Sequence, residues 1–587
     1  MPTHDCLSYR RLISGLTLLI AIASPKGFAT AADEADLILH HGKIVTVDDK
    51  FTVAEALAVN EGRILAVGGN AEIMKLAGSQ TRNIDLQGKT VLPGLADSHV
   101  HPTAASTYEF DHPIPEMDTI ADVLKYIGTR TAAVEKGHWI VIRQVFITRL
   151  RDQRYPTRQE LDLVAPEHPV MFATGPDASL NSLALSRSGI NRDFQITDGG
   201  PGKIERDADS GEPTGILRSC TRLVKTGSTG KSASETEKLD RLKRLLADYN
   251  SVGITSIADR DAGDDAVALH KTLRDRGELT CRVFLNLSVD AQAPLEAIEM
   301  RIKKAAADPL HQYDNRLWLR GIKCYLDGGM LTGSAYMQQP WGVSRIYSIT
   351  DPEYRGLRFI EPEKLRAIAR LALENDLQMT AHSVGDAAVQ TLIDAYAAVN
   401  ADLPLRDRRP CITHCNFMSL QAIEQMHHLG IVADLQPAWL WLDGKTLLTQ
   451  FGSERLAYFQ PYKTLFDRGV VIGGGSDHMQ KIGSLRSVNP YNPFLGMWIT
   501  LARQPRRADQ PLHPEQRITR EQAIRLYTIN NAFLTFEEKQ KGSLEPGKLA
   551  DFIVLQQDIL TCPEDAVKDI TVEQTYLGGK QIYAAAK

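Results

Sequence analysis

The sequence predicts an α/β chain: a (β/α)8 TIM barrel through the middle, with a small sheet domain assembled from both chain ends. Three observations predict it. Helical and strand patterns alternate across the central part, which argues for parallel strands joined by crossover helices. Both ends instead read as short strands and turns. The chain has 587 residues and is 43% hydrophobic, enough to bury one large core with additions.

Taken in order, the first segment does not read as part of the fold. Arg10 and Arg11 precede an apolar stretch over 12–23, and Ala29-Thr30-Ala31 fits an A-x-A cleavage site. That order is the order of a secretory signal peptide over 1–31, so the mature chain is expected to be exported, periplasmic or secreted. The alternative is a single N-terminal anchor helix. Residues 32–92 form the N-terminal part of the sheet domain. Strand character over 36–47 breaks at Gly42, and 57–67 resembles a hairpin turning at Glu61-Gly62.

The barrel is expected over 93–540, with an insertion near 140–235. Leu239, Leu242, Leu245, Leu246 and Tyr249 fall at helical spacing, Gly253 ends that helix, and 254–258 reads as a strand. A helix over 362–375 presents Leu365, Ile368, Ala369 and Ala372 on one face, and strand 379–381 follows. Helix 386–399, strand 411–413, helix 419–429, strand 430–433, helix 462–468 and strand 470–473 continue the alternation. Residues 541–587 return to strands, one after Gly547 and a pair around Gly578-Gly579.

Composition excludes several classes. Lys plus Arg number 67 against 72 Asp plus Glu, a net charge of −5, so the chain lacks the basic balance of a general nucleic-acid binder. No internal apolar run spans a bilayer, so no stable membrane insertion is expected once the signal is cleaved. If Cys6 leaves with the signal, Cys220, Cys281, Cys324, Cys411, Cys415 and Cys562 remain. They are too sparse for a disulfide framework and read as free thiols, with room for one incidental disulfide. The partners expected are a small-molecule substrate and, as for many large barrels, further copies of the chain.

The residues that carry chemistry stand where strands end, which is where barrel enzymes build their sites. His99 and His101 form an H-x-H on a strand; side chains alternate with period two, so both imidazoles share a face and can hold one cation. Lys323 lies in the run Leu317-Trp318-Leu319-Arg320-Gly321-Ile322-Lys323-Cys324-Tyr325, too apolar for a surface strand. A buried lysine loses its charge readily, and the neutral amine can add carbon dioxide to become an anionic carbamate bridging two metals. The bland alternative pairs it with a carboxylate such as Asp327. His382 and His414 each end a strand at the same position of neighbouring units, so they would face one mouth. Asp477 follows the apolar strand and Gly473-Gly474-Gly475-Ser476. It suits either a metal ligand that also takes a proton from water or a helix N-cap. The glycine-rich 327–336 loop fits either a pocket wall, with Asp327 touching substrate, or a plain surface loop.

In this order, H-x-H, Lys, His, His, Asp, the chain resembles the amidohydrolase superfamily and, within it, the YtcJ-like branch (amidohydrolase family 3). Further segments carry the likeness: Leu92-Pro93-Gly94-Leu95-Ala96-Asp97-Ser98, Gly211-Glu212-Pro213-Thr214-Gly215, Ala381-His382-Ser383-Val384-Gly385-Asp386 and Gly547-Lys548-Leu549-Ala550-Asp551-Phe552. The resemblance implies a metal-bearing barrel, a β-sandwich built from both ends and a long insertion early in the barrel. Carried onto this chain, it implies that His99 and His101 bind the more buried metal and that carboxylated Lys323 bridges. His382 and His414 would bind a second metal, and Asp477 would act as ligand and proton-transfer group. Zinc is the default for such N/O ligation, with one or two ions per chain. The implied activity is metal-dependent hydrolysis of a non-peptide carbon–nitrogen bond, in an amide, N-acyl or N-formyl compound. The same site could open a lactone or ester, or serve a binding protein that has lost turnover. One departure bears on specificity: Gly175-Pro176 precedes Asn181-Ser182 where relatives are expected to carry Gly-His.

Overall fold

A computed structural model of the chain describes residues 34–143, 145–200, 202–227 and 231–586. The expected signal peptide, its Arg10-Arg11 pair and Cys6 lie outside the described residues.

Eight parallel strands form one continuous sheet in chain order. They are strand 1 (Leu95–Val100), strand 2 (Ile254–Ala262), strand 3 (Arg282–Ser288), strand 4 (Leu317–Tyr325), strand 5 (Gln378–Ser383), strand 6 (Cys411–His414), strand 7 (Val432–Leu435) and strand 8 (Ile472–Gly474). The sheet curls until its edges meet. A parallel bridge joins Val100 to His478, and the Asp477 and His101 N–H groups donate to His99 O and His478 O, each at 2.8 Å. The glycine run makes this approach feasible: a Cβ at Gly475 would stand 2.8 Å from the His99 nitrogen, and one at Gly473 would stand 2.2 Å from Asn531 Oδ1. Crossover helices cover the outside. One of them, Glu235–Ser251, starts in a Ser234/Glu237 capping box and buries Leu242, Leu245, Leu246 and Tyr249, while Leu239 is only half-buried.

Two elements escape the periodicity of the sequence. Strand 3 reads Arg-Val-Phe-Leu-Asn-Leu-Ser and is buried on both faces, so neither alternation nor a helical stripe marks it. The segment between strands 1 and 2 builds its own five-stranded sheet, from Lys203–Arg206, Pro213–Arg218, Asp177–Leu180, Val170–Thr174 and Ile140–Arg143 in spatial order.

Both chain ends contribute to a pair of sheets beside the barrel. One has four strands, all from residues 35–85. The other has six and interleaves the ends, with Phe552–Leu555 antiparallel to Thr90–Pro93. Leu37, Leu39, Val59 and Ile64 from the N-terminal part share a core with Phe552, Val554 and Tyr576, so the two ends form one β-sandwich. The predicted hairpin turns at Glu61 (φ 47°) and Gly62 (φ 75°), the left-handed pair that a two-residue hairpin turn requires. Arg282 on strand 3 ties barrel to sandwich through a two-pronged ion pair with Asp551, at 2.6 and 2.7 Å. The six cysteines are free thiols. No helix among the described residues is long and apolar enough to cross a membrane.

Candidate metal centre

Barrel closure brings the first cluster together. His99 Nε2 lies 3.2 Å from His101 Nε2, while Asp477 Oδ1 lies 3.1 Å from His101 Nε2 and 3.5 Å from His99 Nε2. Asp477 stands just past strand 8 in a left-handed conformation (φ 56°). No helix begins there, so the N-cap alternative has nothing to cap. The Asn489 side chain fixes it by donating from Nδ2 to Asp477 O at 2.7 Å.

A second pair comes from neighbouring strands. Register sets Ser383 beside His414, and the His382 and His414 rings meet at 4.5 Å between centroids. His414 is also left-handed (φ 81°) and lies 5.1 Å from the His99 ring, so the two pairs are contiguous. Left-handed backbone at two non-glycine residues costs on the order of 1–3 kcal/mol each. Such strain persists only where the surroundings over-determine it.

Lys323 lies in register with Thr380 on strand 5 and is 1% exposed. Its Nζ sits 4.7 Å from the centre of the Tyr325 ring. Among the described residues it makes no hydrogen bond or ion pair, so the pairing with Asp327 is not formed. Asp327 is engaged elsewhere. Its carboxylate accepts the N–H groups of Tyr336, Val384 and Gly385 at 2.9–3.0 Å, tying the loop after strand 4 to the loop after strand 5.

Electrostatics favour the neutral imidazole at three of the four histidines. Burial, with the Lys323 charge behind it, pushes His99 well below its usual range and His382 down to about 3. Burial and the facing His382 lower His414. Burial disfavours protonated His101 too, but the hydrogen bond and charge of Asp477 outweigh it and raise its pKa. Burial raises Asp477.

The outer contacts were not apparent in the sequence. His414 Nδ1 donates to Gln436 Oε1 at 2.7 Å, which leaves Nε2 with its lone pair. Trp439 stacks on the same ring at 4.6 Å. Asp434 Oδ1 lies 3.5 Å from His99 Nδ1, while its Oδ2 pairs with Arg260 at 3.0 Å. An acid inside Val432-Ala433-Asp434-Leu435 was the available signal.

A cavity of about 640 Å³ opens over the cluster and is lined by all six predicted residues: His99, His101, Lys323, His382, His414 and Asp477. Gly175 and Pro176 line it too, so the departure from Gly-His falls on the pocket wall. The 327–332 stretch forms another wall, which decides against a plain surface loop.

The donor set fits a borderline divalent cation. Ligands held about 2.0–2.1 Å from one tetrahedral ion stand roughly 3.3 Å apart. The three separations at His99, His101 and Asp477 bracket that value, and these residues form a cation-competent trio.

Comparison with known proteins agrees. The chain is 28% identical over 562 residues to N-substituted formamide deformylase of Arthrobacter pascens, covering 93% of this chain and 97% of that one. It is 24% identical to the putative amidohydrolase YtcJ of Bacillus subtilis, over 93% and 99% of the two chains. Among solved structures, an uncharacterized metal-dependent hydrolase of Pyrococcus horikoshii superposes with a TM-score of 0.65 at 19% identity, covering 90% of this chain and 99% of that one. Residues 82–583 match the amidohydrolase family, a span that takes in every barrel strand, and the chain belongs to that family.

Proposed function

We propose that this chain is a metal-dependent hydrolase of a non-peptide carbon–nitrogen bond, acting on an N-acyl or N-formyl compound. The observation that carries the reading is the convergence of four imidazoles, a buried lysine and a buried aspartate on one cavity at the barrel mouth. The similarity to a formamide deformylase supports the substrate class.

In this reading His99, His101 and Asp477 hold one divalent cation, zinc by default, and His382 and His414 hold a second. Lys323 would complete the ligand set as a carbamate: its neutral amine would add one carbon dioxide and release one proton, leaving an N-carboxylate. When bound, such ions lower the pKa of water and polarise a carbonyl. The chain's own groups do the rest. Asp477, facing the cation through Oδ1, would use its other oxygen to take the proton of the attacking water and deliver it to the departing amine nitrogen. Gln436 and Trp439 hold the His414 imidazole in place, and Asp434 stands 3.5 Å behind His99 Nδ1. Phe146, Met330, Leu331 and Phe359 wall the cavity and limit competing water.

A panel of N-formyl compounds, longer N-acyl amides and matched esters, offered to metal-replete protein, tests the proposal. Release of amine is expected, and turnover of esters alone overturns it. Carboxylation of Lys323 is read separately, as a carbamate carbon signal in NMR after equilibration with ¹³C-labelled bicarbonate. We also propose export of the chain, supported by the 10–31 segment. N-terminal sequencing of the exported protein should begin after Ala31, and an uncleaved N-terminus rejects this.

A further inference from the structure

Among the described residues, one other trio of metal-ligating side chains is spaced to share a cation: His40, His41 and Asp85, on the sandwich and outside the barrel. His40 ends the strand Ala35–His40, and Asp85 ends its parallel neighbour Ala77–Asp85, directly across from it in register. Neighbours on an extended strand point to opposite faces, so adjacent histidines do not ordinarily meet. Here His41 is left-handed (φ 54°), and the chain turns so that the two Nδ1 atoms stand 3.1 Å apart, with the rings edge to face at 4.5 Å between centroids. His41 Nδ1 lies 3.4 Å from Asp85 Oδ1, and all three ligand atoms fall within 4.8 Å of one another. The two shorter separations bracket the roughly 3.3 Å expected for ligands held about 2.0–2.1 Å from one tetrahedral ion. The backbone fixes both turns. Leu86 and Gly88 donate to His40 O and His41 O at 2.9 and 2.7 Å, Asn70 Oδ1 accepts the His41 N–H at 2.8 Å, and Asp85 Oδ1 accepts the Gln87 N–H at 3.0 Å. More than half of the His41 and Asp85 side chains is open to solvent, 59% and 51%, so an ion can reach them. Asp85 has no lysine or arginine partner among the described residues. The Gln87 N–H and then the His41 ring hold its carboxyl below the ordinary value, so it is ionised at neutral pH.

We infer that His40, His41 and Asp85 form a surface site for one borderline divalent cation such as Zn²⁺, which clasps the edge strand Ala77–Asp85 to its neighbour. Two imidazole nitrogens and one carboxylate oxygen suit such an ion and leave its fourth position to water. The clasp falls where the fold is weakly held. Ala77–Asp85 is an edge strand of its four-stranded sheet, pairs in parallel and has no fully buried side chain, so little apolar burial anchors it. The site is separate from the barrel centre, and no step of the hydrolase reading uses it. The competing account of the same contacts is a hydrogen-bonded imidazole pair, one ring N–H donating to the other ring's lone pair, which needs no ion.

The test compares wild type with His41→Asn and Asp85→Asn. Asparagine tolerates the left-handed backbone at 41 and keeps an oxygen for the Gln87 N–H at 85, so both variants should fold, as circular dichroism checks. Equilibrium dialysis against graded Zn²⁺, followed by metal analysis, counts the ions bound per chain. Losing one of three ligands should weaken the site by at least about 10- to 100-fold, the cost of removing even a ligand's outer support. At the Zn²⁺ concentration that just fills wild type, each variant should therefore hold one ion fewer, with the barrel ions retained. Hydrogen exchange over 77–85, read by mass spectrometry, should slow on Zn²⁺ addition in wild type and not in the variants. Equal ion counts in the three proteins overturn the inference and leave the hydrogen-bonded pair. Exchange that Zn²⁺ slows equally in all three overturns it as well.

Discussion

Replacing Lys323 with methionine separates structure from function. Lys323 is 1% exposed and its ammonium has no carboxylate partner among the described residues; the centre of the Tyr325 ring lies 4.7 Å from its Nζ. Withdrawing an ion from water costs several kcal/mol even after relaxation, and a cation–π contact returns about 0.5–2 kcal/mol. Methionine has a similar unbranched stem and fills irregular apolar space. Lys323→Met should therefore raise the stability of metal-free protein by about 1–3 kcal/mol, the difference between those terms. The same change should lower metal-supported turnover at least a hundredfold, because the proposed carbamate could no longer form. Urea unfolding in the presence of a chelator, beside turnover after metal reconstitution, reads both effects. A metal-free variant destabilised by more than about 1 kcal/mol would mean that Lys323 is there to hold the barrel together, and the carbamate argument would fail.

Three further outcomes follow from the same geometry. Asp477→Asn should lower kcat by about 10²- to 10⁴-fold, the usual worth of a general base, while circular dichroism shows an unchanged fold; activity within tenfold of wild type contradicts the role. Chelation should abolish turnover and lower the melting temperature, and added Zn²⁺ should restore both. A chelated protein of unchanged melting temperature would show that no ion bridges strands 1 and 8. Burial works against ionised Asp551, but the Arg282 charge and hydrogen bonds outweigh it and hold its pKa below 3.8. A depressed carboxylate stabilises fully above its unfolded pKa of about 3.9 and loses that contribution as pH falls through the folded value. Wild type should therefore lose the pair's contribution only below about pH 4. Asp551→Ala should be weaker by about 3–5 kcal/mol at pH 7 and show less of that acid dependence, both measured by denaturant unfolding.

Much of the site was legible because barrel chemistry falls at one recurring place. Helix–strand alternation puts His382 and His414 at the ends of strands 5 and 6 and Asp477 just past strand 8, and an H-x-H where the first strand ends needs no partner to be noticed. Lys323 was legible through its misfit in an apolar run. What stayed hidden was hidden for physical reasons. Strand 3 is buried on both faces and has no period to read. The five-stranded insertion sheet joins two local antiparallel pairs to each other and to a parallel strand from 140–143, and pairing across such distances leaves no local trace. Gln436, Asp434 and Trp439 support the histidines, but a glutamine or tryptophan after a strand has many bland uses, and only the 2.7 Å contact to His414 distinguishes this one.

The closure of the barrel and the assembly of the site are the same event. Asp477 reaches His99 and His101 because the segment after strand 8 bonds edge to edge with strand 1. That contact exists because glycine occupies positions 473 and 475, where a Cβ would collide with Asn531 and the His99 backbone. The Gly473-Gly474-Gly475 run is therefore a packing requirement. A side chain at 475 would push strand 8 away from strand 1 and pull Asp477 from the two imidazoles without changing any of the three side chains. The same logic explains why left-handed backbone occurs at His414 and Asp477: each leaves its strand at an angle that an extended residue could not take, and each is held there by neighbouring contacts. Metal affinity and barrel stability should thus rise and fall together in this chain, since one backbone contact serves both.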